Sequence, residues 1–236
     1  MNPRRLPFFV ESLGKLDYVD VLLAKNMEII MAQNNIRKYF LEHDYTHLLF
    51  TSDDVEIPYG APKQIFDDVE QGGYDIITGW SLCRPNRKEA NITPMAPKNI
   101  GGRLNRPFWY HEYGFLKNYE ISNMVKSGKT IIPIWFTGWS LTCISRKVVD
   151  VWTPRGWYFQ PIPEFRPTIY KGVGGSWAST DLWFSYQLWK AGFNKYADLR
   201  VYVPHNPLHF SHKYASILVG KEPAKLEFIS AKKALR

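Results

Sequence analysis

Apolar positions along the chain alternate between short runs and helical stripes. Phe8 to Glu11 and Val19 to Leu23 have the length and content of short strands. From Asn26 to Glu42 the spacing becomes helical, in two stripes, Met27/Ile30/Leu41 and Ile29/Ile36/Phe40, which predicts a helix covered on much of its circumference. His47 to Thr51 is a compact apolar run suited to a buried parallel strand, with Ser52-Asp53-Asp54 at its end. Pro62 fits the first turn of the next helix and Gly72-Gly73 its stop, and Asp75 to Gly79 is the following strand. This order, with short connections, predicts an α/β fold: a mainly parallel, mixed sheet flanked by helices.

From Arg84 to about Thr130 the rhythm is lost, and the mixture of Pro, Asn, Gly and aromatics predicts loops with an irregular strand near Tyr113 to Leu116. Strands return at Ile131 to Phe136 and Ser140 to Ile144, followed by a short helix from Arg146. Gln160 to Ser176, rich in Pro and Gly, reads as a surface loop. Ser179 caps a predicted helix through Lys190, with Leu182, Tyr186 and Trp189 inward and Gly192 as terminator. Leu199 to Val203 is the last predicted strand, and His205 follows it directly. No internal repeat or linker divides the chain, so residues 1–213 read as one domain and residues 214–236 as a lysine-rich amphipathic tail of helical character.

Composition narrows the class. The 236 residues are 45% hydrophobic and 22% charged, which excludes disordered, collagen-like and coiled-coil chains. No apolar run approaches a membrane span, and Leu6 to Val10 is too short for a signal-peptide core. The expectation is a soluble cytoplasmic protein whose tail lysines can attract an anionic membrane surface. Cys83 and Cys143 argue against a disulfide scaffold or a cysteine-rich zinc site. A formal charge of +8 and 16% aromatic residues point to an anionic partner with flat faces: a nucleic acid, a nucleotide or a phosphorylated sugar.

The candidate chemistry sits at element ends. Adjacent carboxylates Asp53 and Asp54, at the exit of a buried strand, lie where open α/β sheets bind ligands. Two such groups repel unless a cation intervenes, and hard oxygen donors suit Mg²⁺ or Mn²⁺; turn formation is the plainer alternative. Asp181, in the first turn of its helix after a Gly-rich loop, is either a dipole-stabilising residue or a general base. His205, His209 and His212 form a cluster without the Glu of a zinc protease, and His205 or His209 can join the Asp pair on a metal. Arg84 and Arg87, past a strand end, can contact phosphates. No Gly-x-Ser-x-Gly, P-loop or dinucleotide fingerprint is present.

In this order the pieces resemble a nucleotide-sugar glycosyltransferase of the GT-A fold. The resemblance rests on the segment Thr46 to Pro58, similar to the strand ending in an Asp-x-Asp-type motif, and on Asp75 to Gly79 as the next strand. Phe136 to Arg146 resembles the acceptor-side strand and turn, Ser179 to Gly192 the Glu-Asp helix, and Val201 to His205 the late metal-binding histidine. It implies a shortened N-terminal nucleotide-binding part. By the same resemblance Asp53, Asp54 and His205 hold Mn²⁺ or Mg²⁺, and Ser52, Asp53 and Arg84 contact the nucleoside-diphosphate sugar. Asp181 then becomes the general base for an acceptor hydroxyl, which favours inversion, or a carboxylate that positions the acceptor; the acceptor, whether sugar, lipid-linked or protein, is open. Trp139, Trp157 and Trp177 are candidates to pack on a sugar face, with core packing as the simpler reading. The rivals are a metal-dependent phosphoesterase or nuclease, and a nucleic-acid-binding module, disfavoured because Lys and Arg are spread along the chain.

Overall fold

Strand β1 (Val21–Lys25) leads into helix α1 (Ile29–Leu41), and strand β2 (His47–Phe50) follows. The computed structural model describes residues 19–25, 27, 29–52, 55–83, 88–94, 115–154, 180–205 and 225–229. The strand expected at Phe8 to Glu11 and the loop at Gln160 to Ser176 lie outside the described residues. The remaining helices are α2 (Ala61–Gly72), α3 (Asn118–Lys126), α4 (Arg146–Val151) and α5 (Thr180–Lys190). The remaining strands are β3 (Ile76–Trp80), β4 (Ile92–Thr93), β5 (Ile131–Ile134), β6 (Phe136–Thr137), β7 (Thr142–Ser145), β8 (Lys195–Tyr202) and β9 (Lys225–Ile229).

The fold is α/β around a mixed five-stranded sheet in the order β2-β7-β3-β8-β5. Strands β2, β3 and β8 share one direction, β7 and β5 oppose them, and β3–β8 is the one parallel pairing of neighbours. The sheet is therefore mixed, as expected, but not mainly parallel: three of its four neighbour pairings are antiparallel. The reason is that β7 returns between β2 and β3, a position that alternation of strand and helix does not reveal. Two small ribbons stand beside the sheet, β1 with β9 and β4 with β6, both antiparallel.

Local chemistry explains the element ends. Pro62 sits in the first turn of α2, and Gly73 ends that helix at φ +61, its N–H donating to the Val69 carbonyl at 2.9 Å. Two arginines cap helices reciprocally. Arg146, at the start of α4, donates to the carbonyls of Leu41, His43 and Tyr45 just past or at the end of α1. Arg37 of α1 donates to the carbonyls of Val149 and Asp150 in α4. Each guanidinium satisfies carbonyls that a helix terminus leaves without partners.

Three expectations are corrected. Helix α3 occupies part of the region predicted to be irregular; its start is fixed by the Glu120 carboxylate accepting from the Lys117 N–H, and Ile121 is its one fully buried residue. Trp189 of α5 is exposed; Tyr186 is buried as expected, and Phe184, Ser185 and Leu188 are buried beside it. The helix is apolar on several sides, so its stripe is ambiguous until β6 and the neighbouring tryptophans select one. Finally, Lys225–Ile229 is strand β9, pairing with β1, where the tail was expected to be helical.

Gly79 fits where β3 and β8 change register between Thr78 and Trp80. A Cβ placed there would lie 2.8 Å from both the Val201 carbonyl oxygen and Val201 Cγ1. Backbone cannot retreat as a flexible side chain can, so Gly79→Ala is expected to cost about 1–3 kcal/mol in urea unfolding. An unchanged midpoint would mean that the two strands separate freely.

A buried charge cluster ties α2 to β8. Arg200 donates to Asp198 at 2.9 Å and to Asp68 at 2.8 Å, and Gln64 donates to Asp68 at 3.1 Å. Burial, with the Asp198 carboxylate alongside, pushes Asp68 up to about 6 despite the guanidinium. The folded chain then holds a proton on Asp68 more tightly than the unfolded chain between about pH 4 and pH 6. This contribution to stability is complete below that window and lost as pH rises through it. The expected result is that the stability of the native chain relative to Asp68→Asn declines from pH 4 to pH 6 and levels off above; a flat difference would refute the shift.

Candidate functional site

Because β2, β3 and β8 run the same way, their C-terminal ends open on one edge of the sheet. Thr51 and Ser52 leave β2 there, Ser81 to Cys83 leave β3, and Val203 to His205 leave β8. Strand β7 enters from the same edge, preceded by Ser140, and α5 begins nearby with Thr180 and Asp181. Ser52, Ser81, Ser140, Asp181 and His205 all line one cleft of about 800 Å³. This is the edge at which open α/β sheets bind ligands.

His205 is fixed from two sides. It forms an antiparallel bridge with Val55, next to which the Glu56 N–H donates to the Pro204 carbonyl at 2.9 Å. Its Nδ1 lies 3.2 Å from the Leu82 carbonyl oxygen. A carbonyl only accepts, so Nδ1 carries the proton in the neutral ring and Nε2 carries the lone pair. Asp181, half-buried, stands in the first turn of an eleven-residue helix, where the helix dipole favours its negative charge.

Of the residues nominated from the sequence, Ser52, Asp181 and His205 come together. Asp53, Asp54, Arg84, Arg87, His209, His212, Trp157 and Trp177 lie outside the described residues; Ser52 and Val55, which flank the Asp pair, both line the cleft. Among the described residues no three His, Cys, Asp or Glu side chains are grouped as a metal set. A metal assignment therefore rests on His205 together with the Asp pair. The donor chemistry of a neutral imidazole with its tautomer set by a carbonyl suits that role. Cys143, fully buried, has its thiol pushed up to about 12 by burial and is inert.

Sequence reading missed the floor of the cleft. Thr78-Gly79-Trp80-Ser81-Leu82 and Thr137-Gly138-Trp139-Ser140-Leu141 are identical pentapeptides, so the expectation of no internal repeat is corrected. The two copies touch at two equivalent positions, although the backbone pairs β3 antiparallel with β7, Gly79 N–H donating to the Leu141 carbonyl. Thr137 Oγ1 donates to Thr78 Oγ1 at 3.2 Å, and the hydroxyls of Ser81 and Ser140 share a hydrogen bond at 2.6 Å. Asn91 clasps both copies: its side-chain oxygen accepts from the Ser81 N–H at 2.9 Å, and its amide donates to Ser140 Oγ and to the Gly138 carbonyl. A Cβ on Gly138 would come within 2.8 Å of the Asn91 amide nitrogen, so the approach needs glycine. The signal was in the chain, as an exact five-residue duplication too short to count as a structural repeat.

Trp139 forms a wall of the cleft. It is the one non-glycine residue among the described residues with positive φ, +55, a conformation that costs about 1–2 kcal/mol for an L-residue. Its ring is held by Phe184 at 4.2 Å, Phe50 at 4.6 Å and Trp152 at 5.4 Å between centroids. Trp139 is 5% exposed, so the simpler reading of core packing describes it better than a sugar platform.

No protein family matches the chain, and no curated protein does. Among solved structures the chain is similar to one titled "Crystal Structure of A197 from STIV", with 14% identity and a TM-score of 0.46. The match covers 87% of this chain and 90% of that one. At that score the likeness carries no functional weight. No helix among the described residues is long and apolar enough to cross a membrane.

Proposed function

We propose that the protein is a metal-dependent glycosyltransferase of the GT-A type, moving a sugar from a nucleoside-diphosphate sugar to an acceptor hydroxyl with inversion. One observation carries this reading: Ser52, Asp181 and His205, far apart in the chain, line one cleft at the ligand-binding edge of the sheet. Asp181 receives the proton of the acceptor hydroxyl as it attacks, on the side opposite the departing diphosphate. Asp53, Asp54 and His205 hold the divalent ion, and Ser52, Asp53 and Arg84 contact the donor. When bound, the ion supplies charge stabilisation for the leaving nucleoside diphosphate.

Calorimetric titration of UDP, GDP, CDP and dTDP, each with and without Mn²⁺, tests the proposal. The expected result is that one nucleotide binds only with metal, and that Asp54→Ala and His205→Ala each weaken it by at least about tenfold, a loss of roughly 1.4 kcal/mol. Absence of binding by all four, in protein shown to be folded, overturns it.

A further inference from the structure

The cleft extends beyond the polar site along the outer strand of the sheet. His47, Leu48, Leu49 and Phe50 of β2 all line it, and Thr51 and Ser52 continue the line to the polar end. Side chains of a strand alternate between faces, so a cleft against one face would meet every second residue. Six consecutive lining residues mean that the cleft follows the edge of the strand. The other edge of β2 is taken by β7, and among the described residues β2 ends the sheet. Half of its backbone N–H and C=O groups therefore face the cleft. The cleft is also lined by Val21 to Ala24 of β1, by Phe228 of β9 and by Ile29 at the start of α1, the last two more than two-fifths exposed.

An alkyl chain would leave those backbone groups without partners, at a cost of about 1–3 kcal/mol for each one it buries. An extended peptide pairs them, as strands added to a sheet edge do, and places alternate side chains against the apolar walls. We infer that the acceptor is a polypeptide, bound as an extended strand along β2 with a Ser or Thr hydroxyl presented to Asp181 at the polar end. Six residues at about 3.3 Å each span roughly 20 Å, which matches the run from His47 to Ser52. The inference rests on the transferase reading for what happens to the hydroxyl, while the mode of binding stands apart from it.

The test is retention of a pool of acetylated hexapeptides, randomised over Val, Leu, Phe, Thr and Ser, by the immobilised full chain without nucleotide or metal. The best-retained member is then made in two N-methylated forms, one on residues 1, 3 and 5 and one on residues 2, 4 and 6. The expected result is that one form loses at least tenfold in affinity and the other keeps most of it, because only one set of N–H groups faces β2. Equal affinity of both forms, or no retention of any peptide at millimolar concentration, overturns the inference. So does competition in which dodecyl maltoside binds the cleft and the pool does not. Nucleotide titration reports separately on the transferase reading, so the two can fail independently.

Discussion

Asp181→Asn is expected to lower sugar transfer by about 10²–10⁴-fold, the usual worth of a positioned proton acceptor. The substitution keeps the shape of the side chain and its place in the first turn of α5, so what it removes is basicity. The lost favourable charge at the helix N-terminus is worth about 0.3–1 kcal/mol, and folding should change by no more than that. Nucleotide binding should be unaffected, since in this reading Asp181 acts on the acceptor and His205 with the Asp pair on the donor. The informative measurement is therefore a pair: transfer rate and nucleotide affinity of one variant. A full rate removes the base assignment. A lost rate with equally lost nucleotide affinity moves Asp181 to the donor side.

Trp152→Ala is expected to destabilise the fold by about 3–5 kcal/mol, while Trp152→Phe costs far less. The side chain is fully buried, with Phe184 at 5.6 Å and Phe50 at 6.2 Å between centroids, and it backs the wall that holds Trp139 in its positive-φ conformation. Alanine would leave a cavity between α4, α5 and the sheet. The indole N–H of Trp152 is buried without a hydrogen-bond partner, so phenylalanine removes an unsatisfied donor along with part of the ring, and the two effects oppose. Urea midpoints of both variants decide. A phenylalanine variant as unstable as the alanine one would show that the indole N–H has a partner in solution.

What could be read from the chain divides along physical lines. The helix α2 was legible because Pro62 and Gly73 impose backbone angles locally, whatever surrounds them. Strands β2 and β3 were legible because short apolar runs have few other uses, although β2, expected to be buried and parallel, is half-buried and pairs antiparallel with β7. Helix α3 was not, since one buried residue, Ile121, makes no stripe and packing from outside supplies its stability. The inward face of α5 was legible only in part, Tyr186 being buried and Trp189 exposed, for the converse reason: with apolar residues on several sides, only the neighbours choose which are covered. The role of Lys225–Ile229 depended on a partner strand two hundred residues away in the chain.

The sequence by itself determined the α/β class, the positions of most elements and the three nominated residues Ser52, Asp181 and His205, because turn chemistry, strand exits and helix starts are local properties. Only the tertiary structure decided that these three share a cleft, that the twin pentapeptides pair Thr to Thr and Ser to Ser, and that β2 ends the sheet among the described residues. Those facts follow from β7 inserting between β2 and β3 and from β8 joining β3 in parallel. Strand order is settled by long-range packing and backbone pairing, and no local pattern along the chain encodes it.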